Sequence, residues 1–335
     1  MKVGLNLRSI KATYFVRRIL SAIFTLWIAL TINFLLPRMM GGNPADLIAS
    51  QSALGSLEYA QKLKVEFGLD KSLLQQYLLY FSNFFQGNLG ISFSTFPVPV
   101  WQIITNAIPW TLLIVITSTI ISFLIAWVLG TLAALKKGSF FERITVGVSF
   151  YVQSTPYFFV GMIILMLFGF TLGWFPMGHA LPPGMVGDLG PFQKVGAIAY
   201  HAFLPVLSLI VVSLAGRMVM MRSNVLQVFS EDYITLAQAK GLRRSTILRK
   251  YALRNAMLPS FTGLMLSLGS AIGGAIATEM IYSYPGIGLT IMNAILSHDY
   301  PLIQGCFSII ALSVVSLNLI ADFTYPFIDP RVTLS

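Results

Sequence analysis

Residues Trp101 to Leu135 read WQIITNAIPWTLLIVITSTIISFLIAWVLGTLAAL, thirty-five positions without an Asp, Glu, Lys or Arg. About 20 predominantly apolar residues suffice for a helix to cross the hydrocarbon core of a bilayer. This stretch therefore places the chain in lipid. The rest of the sequence agrees: 56% of its 335 residues are hydrophobic and 10% are charged, against about a quarter charged in a soluble domain.

Working outward, five more stretches have the length and composition of spans. The expected crossings are 14–36, 101–135, 144–174, 201–221, 258–281 and 302–323, an all-α polytopic protein with six transmembrane helices. Between and around them lie an N-terminal segment 1–13, loops 37–100, 175–200, 222–257 and 282–301, and a tail 324–335. Arg17 and Arg18 precede the first apolar run in the manner of a signal peptide, but the run is too long and no A-x-A site follows, so it reads as a retained helix. Pro109 and Pro156, near the starts of the second and third crossings, suggest interfacial turns or kinks.

The charge, +10 from 22 Lys plus Arg against 12 Asp plus Glu, is sorted by loop and does not point to nucleic acid. Seventeen of the 22 basic residues fall up to Arg18, between the second and third crossings, from Arg217 to Arg254 and after the sixth. The opposite side holds Arg38, Lys62, Lys64, Lys71 and Lys194. The positive-inside bias then puts both termini and loop 222–257 in the cytoplasm of a cell membrane. In the outer segment, Ser56 reads as a cap on a helix from Leu57 to Phe67 ended by Gly68, with a second amphipathic helix at Lys71 to Phe85. That segment suits either a platform for a partner or a loop folded over the helices.

The loop from Asp232 to Pro259 carries the most information. Asp232 favours a helix start and Gly241 can take the left-handed conformation that stops one. Ala237 and Ala239 would let that short helix press closely on a partner's cleft, while Lys240, Arg243 and Arg244 offer charge to an acidic rim. On the residues alone, anionic lipid headgroups holding a basic segment explain the same pattern.

The run Ala237-Gln238-Ala239-Lys240-Gly241, with Pro259 following within Leu253-Arg254-Asn255-Ala256-Met257-Leu258-Pro259, resembles the EAA loop of ATP-binding-cassette importer permeases, and most of all the dipeptide, oligopeptide and nickel permease group. The resemblance extends to Glu279 through Ile287, to Asp299-Tyr300-Pro301-Leu302-Ile303-Gln304-Gly305, and to Asp329-Pro330-Arg331. Upstream it includes Gly68-Leu69-Asp70-Lys71, Gln86-Gly87-Asn88-Leu89-Gly90, Ser154-Thr155-Pro156 and Gly173-Trp174-Phe175-Pro176. One departure stands out: Thr235-Leu236-Ala237 replaces Glu-Ala-Ala, which removes a carboxylate at 235.

The resemblance implies a type I importer permease fold and a coupling helix whose Ala237, Ala239, Lys240, Gly241, Leu242 and Arg243 meet an ATPase subunit. It also implies a homologous second permease, two cytoplasmic ATPase subunits that hold the ATP and Mg, an external solute-binding protein, and surrounding membrane lipid. Members of the group handle peptides, nickel chelates, glutathione-like conjugates and oligosaccharides; peptides are the expected solute here. No G-x-x-x-x-G-K-[ST] loop occurs, so no cofactor and no ATPase motif of that type is expected in this chain.

Two rival classes remain. An ion-coupled secondary transporter usually carries ionisable groups deep in its spans, whereas Arg217, Glu279 and Asp322 are expected towards span ends. A membrane-embedded enzyme finds little support in His179, His201 and His298, which form no metal-ligand pattern. Glu279, beside Tyr282, Tyr284, Pro285 and Gly286, suits a structural turn or an external gate. Asn33, Gln153, Asn224 and Asn318 fit interhelical bonding better than a pathway. Gly269, Ala271, Gly273, Gly274 and Ala275 suit close helix packing. The one cysteine, Cys306, reads as a packing residue.

Overall fold

The computed structural model describes residues 7–39, 70–182, 184, 190–269 and 275–328. The expected outer helix ending at Gly68, with Lys62 and Lys64, lies outside them, as do Ala271, Gly273, Gly274 and the tail motif Asp329-Pro330-Arg331. Every regular element among the described residues is helical, apart from one antiparallel bridge between Ile91 and Pro99. Among the described residues four helices are long and apolar enough to cross a membrane, and a pair bent by 103° makes a fifth if it counts as one span. The chain divides into two compact units.

The first unit comprises residues 1–110 and 286–335. Here α1 (Leu7–Met39) packs along α11 (Tyr300–Ile328). Asn33, nearly fully buried, ties this seam: its Nδ2 donates to the Gln304 carbonyl at 2.8 Å, to Ser308 Oγ at 3.0 Å and to Tyr80 Oη at 3.0 Å. A buried amide bonding between helices is the packing role expected of it. Tyr80 belongs to α2 (Leu73–Phe85), whose Ser72 and Gln75 form a capping box. The amphipathic helix expected from Lys71 thus begins at the residue after its cap. Its Leu73, Leu74 and Leu78 are exposed, while Tyr77 stacks edge-on against Phe34.

A second anchor of this unit is Asp299, wholly buried ahead of α11. It caps that helix by accepting from Leu302 N at 3.1 Å, and its other oxygen accepts from Ser94 N at 2.9 Å, Ser94 Oγ at 2.8 Å and Ser92 Oγ. Four donors on one carboxylate hold the 92–95 loop against the helix start. Gly305 allows α11 to approach the beginning of α3 (Val100–Leu135), since a Cβ there would sit 2.4 Å from Val100 Cγ1.

The second unit comprises residues 111–285. Its α3 residues pack on α6 (Pro191–Phe229) so closely at Gly130 that a Cβ would lie 2.7 Å from the Met218 carbonyl. The third expected crossing is bent between α4 (Phe140–Ser154) and α5 (Tyr157–Ile164), which continues as a π-helical turn over Leu165–Thr171. Pro156 lacks an N–H and holds Thr155 extended at φ −88°, ψ 130°. At the break Thr155 N turns to Val152 O at 3.2 Å, and Thr155 Oγ1 donates at 3.0 Å to Tyr151 O, the carbonyl that N–H leaves. Pro109, by contrast, sits inside an unbroken α3.

The helix carrying the fourth expected crossing extends eight residues beyond 221 and ten before 201. It is fastened near its later end by an ion pair from Arg222 to the buried Glu142 at the start of α4, with Nε 2.7 Å from Oε1. The fifth expected crossing, 258–281, falls on α8 (Leu253–Gly269) and α9 (Ile276–Ile281), with 270–274 between them outside the described residues.

Candidate functional site: a basic helix end and a buried turn

The short helix expected to start at Asp232 is α7 (Asp232–Ala239). It ends in a Schellman lock: Leu242 N donates to Ala237 O at 3.3 Å and Gly241 N to Gln238 O at 2.9 Å. Gly241 takes the left-handed conformation at φ +68°, and a Cβ built on it would meet nothing within 4 Å. Only backbone conformation demands glycine there.

Burial divides the candidate residues. Ala237 is 3% exposed and packs with Ile234, Ile247 and Ala252 in the chain's own core, with Leu242 partly buried against the same cluster. Ala239, Lys240, Gly241 and Arg243 are exposed, together with Thr235 and Arg244. The helix rests on the widened turn Ile247–Ala252 that leads into α8, and Asn255 Nδ2 bonds Tyr233 Oη at 3.0 Å to fix its first turn. The exposed face of α7 is thus set by what lies on the far side of Ile234 and Ala237. It includes one residue the sequence reading passed over: Leu236, 57% exposed. The i, i+3 spacing of Ile234 and Ala237 places 235, 236 and 239 opposite, and this periodicity was the signal for it.

The second group lies at the end of α9. Glu279 is wholly buried and accepts from Thr111 Oγ1 at 2.7 Å. Tyr282 and Tyr284 are buried beside it. The Tyr282 hydroxyl lies 2.7 Å from Ser208 Oγ and donates to Gly161 O at 3.0 Å. The Tyr282 carbonyl accepts from His179 N at 3.1 Å, so close to the chain at Gly178 that a Cβ there would sit 2.7 Å away. Burial pushes the Tyr282 phenol up to about 12, and burial with the nearby Glu279 charge raises Tyr284 as well.

The chain closes this helix with the same lock as α7, from Tyr284 N to Glu279 O at 2.8 Å and Ser283 N to Met280 O at 3.2 Å, with Ser283 at φ +44°. Pro285 follows, and Gly286 caps α10 (Ile287–Leu296) in the first unit. Glu279 and Tyr284 are both sealed from solvent at the exit of α9.

His201 bonds through Nδ1 to the Gly178 and His179 carbonyls at 3.0 and 3.2 Å, which makes it a brace for the same segment. Among the described residues, no three His, Cys, Asp or Glu side chains gather as metal ligands would.

Comparison with known proteins extends these local features to the whole chain. Residues 126–334 match the family model "Binding-protein-dependent transport system inner membrane component", and residues 11–116 match its companion for the N-terminal part. The dipeptide transport system permease protein DppB of Escherichia coli (strain K12) is 33% identical over 335 residues, covering 95% of this chain and 98% of that one. The oligopeptide transport system permease protein AppB of Bacillus subtilis (strain 168) is 33% identical, covering 96% and 99%. The glutathione transport system permease protein GsiC of Escherichia coli O6:H1 is 31% identical, covering 95% and 98%. Both the family models and these full-length relatives lead to one assignment: the chain belongs to the inner membrane components of binding-protein-dependent transport systems, as a multi-pass permease.

Proposed function

We propose that the chain forms one half of the translocation pathway of an ATP-driven importer and that its solute is a di- or oligopeptide handed over by an external binding protein. Its partners are a homologous second permease and two ATPase subunits, which hold ATP and Mg. Loop 222–257 and both termini face the cytoplasm, as the distribution of Lys and Arg argues. The observation that carries this reading is the exposed end of α7, where Leu236, Ala239, Lys240 and Arg243 surround a glycine at φ +68° on a helix seated in the chain's own core.

Such a helix transmits displacement. A push on its exposed side moves Ile234 and Ala237, and through Ile247 and Ala252 the start of α8. Closure of the ATPase pair on ATP then biases the membrane helices between two arrangements. Peptide as the solute draws on the relatives named for dipeptide and oligopeptide transport. Glutathione, a nickel chelate or an oligosaccharide is the outcome to test against it.

The test is uptake of radiolabelled alanylalanine into proteoliposomes holding the full complex. Wild type accumulates it only with ATP. Proline fixes φ near −65° and cannot follow Gly241 to +68°, so Gly241→Pro abolishes uptake while the complex still assembles. Uptake by the isolated chain without an ATPase, or full uptake by Gly241→Pro, overturns the reading.

A further inference from the structure

Within the second unit, α3, α6 and α8 enclose a cavity of about 160 Å³. Its polar wall consists of Arg217, Trp127, Ser260 and Ser267, and no carboxylate lines it among the described residues. Arg217 is half-buried and spends part of its fork on the neighbouring helix, donating from Nη1 to Thr119 O at 2.9 Å and to Ser122 Oγ. The Trp127 indole N–H is buried without a hydrogen-bond partner among the described residues. A cation beside an unsatisfied donor, without an acid among the lining residues, is a site for an anion.

The position of Arg217 sharpens this. Because α6 runs on to Phe229, Arg217 stands twelve residues before the helix end, about 18 Å along the axis at 1.5 Å per residue. The extension past 221 begins with Arg222, ion-paired to Glu142, and belongs to loop 222–257, so Arg217 stays inside the expected crossing 201–221, near its later end. A charged side chain within an apolar crossing, half-buried against a neighbouring helix, is costly and is a candidate for contact with solute.

We infer that this cavity receives the C-terminal carboxylate of a peptide in transit, held by Arg217 with Trp127 and the two serines around it. The inference rests on the peptide-import reading above. A planar guanidinium matches a carboxylate with two parallel N–H donors. The volume is small against the roughly 300–1,000 Å³ of pockets that enclose a whole ligand, so it takes the end of a solute. Gly263 forms part of the wall, and a Cβ there would meet nothing within 4 Å.

The experiment uses the full complex in proteoliposomes with radiolabelled alanylalanine. Arg217→Gln lowers maximal uptake at least tenfold with KM nearly unchanged, because capture from the binding protein precedes this site, and Arg217→Lys restores most of it. Gly263→Leu, at a position where a Cβ meets nothing within 4 Å, projects into the cavity and blocks uptake while the unfolding midpoint stays put. Cys306 is buried, so a negatively charged thiol reagent reports on Ser267→Cys; it reacts several-fold faster with Arg217 present than with Gln, and alanylalanine under turnover slows it.

Equal losses in the Lys and Gln variants, uptake unharmed by Gly263→Leu, or labelling indifferent to peptide overturn the inference and leave peptide import standing. A wild-type complex that takes up no alanylalanine overturns both.

Discussion

The chain closes two helices with the same backbone lock and surrounds them in opposite ways. At the end of α7 the left-handed residue is Gly241, exposed and with nothing within 4 Å of a built Cβ. At the end of α9 it is Ser283, flanked by Tyr282 and Tyr284, each at most 1% exposed, above a buried Glu279. The lock alone satisfies the orphan carbonyls of a helix; what differs is whether side chains then fix it in place. The first end is left exposed, and the second is sealed by its own residues. Variants of the two should therefore separate, with folding damaged at the turn and transport damaged at the loop.

Ranked by expected change in unfolding, the largest effect belongs to Gly178→Val. Its Cβ would lie 2.7 Å from the Tyr282 carbonyl, and forcing the two backbones apart costs about 3 kcal/mol. A melting curve of the detergent-solubilised complex reads this directly; an unshifted midpoint would mean that the turn is as open as α7. Next comes Glu279→Ala, which strips the acceptor from a buried Thr111 hydroxyl and costs about 2 kcal/mol. Glu279→Gln keeps an acceptor oxygen and costs less.

Tyr282→Phe ranks third, at about 1 kcal/mol for the lost bonds to Ser208 and Gly161. It also carries a pH signature. The folded phenol titrates near 12 against about 10 when unfolded. Its contribution is full below pH 10 and is lost as pH rises towards 12, because only the unfolded chain gives up the proton in that window. Unfolding midpoints flat from pH 7 to 9 and falling above 10, with a shallower fall in Tyr282→Phe, are expected.

The same contrast explains how much could be read from the sequence. Apolar length pointed to the stretches that form the long apolar helices α1, α3, α6 and α11, and Gly241 announced its own conformation. Hydropathy marks where lipid is, however, and a helix does not end where lipid does. Arg222 through Phe229 and Pro191 through Tyr200 extend α6 beyond 201–221 because propensity and the Arg222 to Glu142 pair carry it on.

Likewise, Pro156 breaks its helix, with Thr155 held extended before it, whereas Pro109 lies inside an unbroken one, and proline alone does not announce which. At the sites, composition named Glu279 and Ala237 as candidates but gave no burial. Their positions inside the protein come from partners such as Thr111 and Ile247, distant in sequence or across a turn.

Leu236→Ser is expected to change unfolding least of all, and it tests the comparison most severely. Its side chain is 57% exposed on the face of α7 away from Ile234 and Ala237, so truncation removes almost no contact within this chain and leaves the midpoint within about 0.5 kcal/mol of wild type. If α7 is gripped by a partner, an exposed leucine beside Lys240 and Arg243 is an apolar anchor inside a charged rim, and losing such an anchor weakens a docked helix by about 1–2 kcal/mol. ATP-driven uptake should then fall several-fold in a protein that melts like wild type, the reverse of Glu279→Ala. Loss of stability with uptake intact would mean that Leu236 packs within the permease itself, and the distinction between an open and a sealed helix end would fail where it is drawn most sharply.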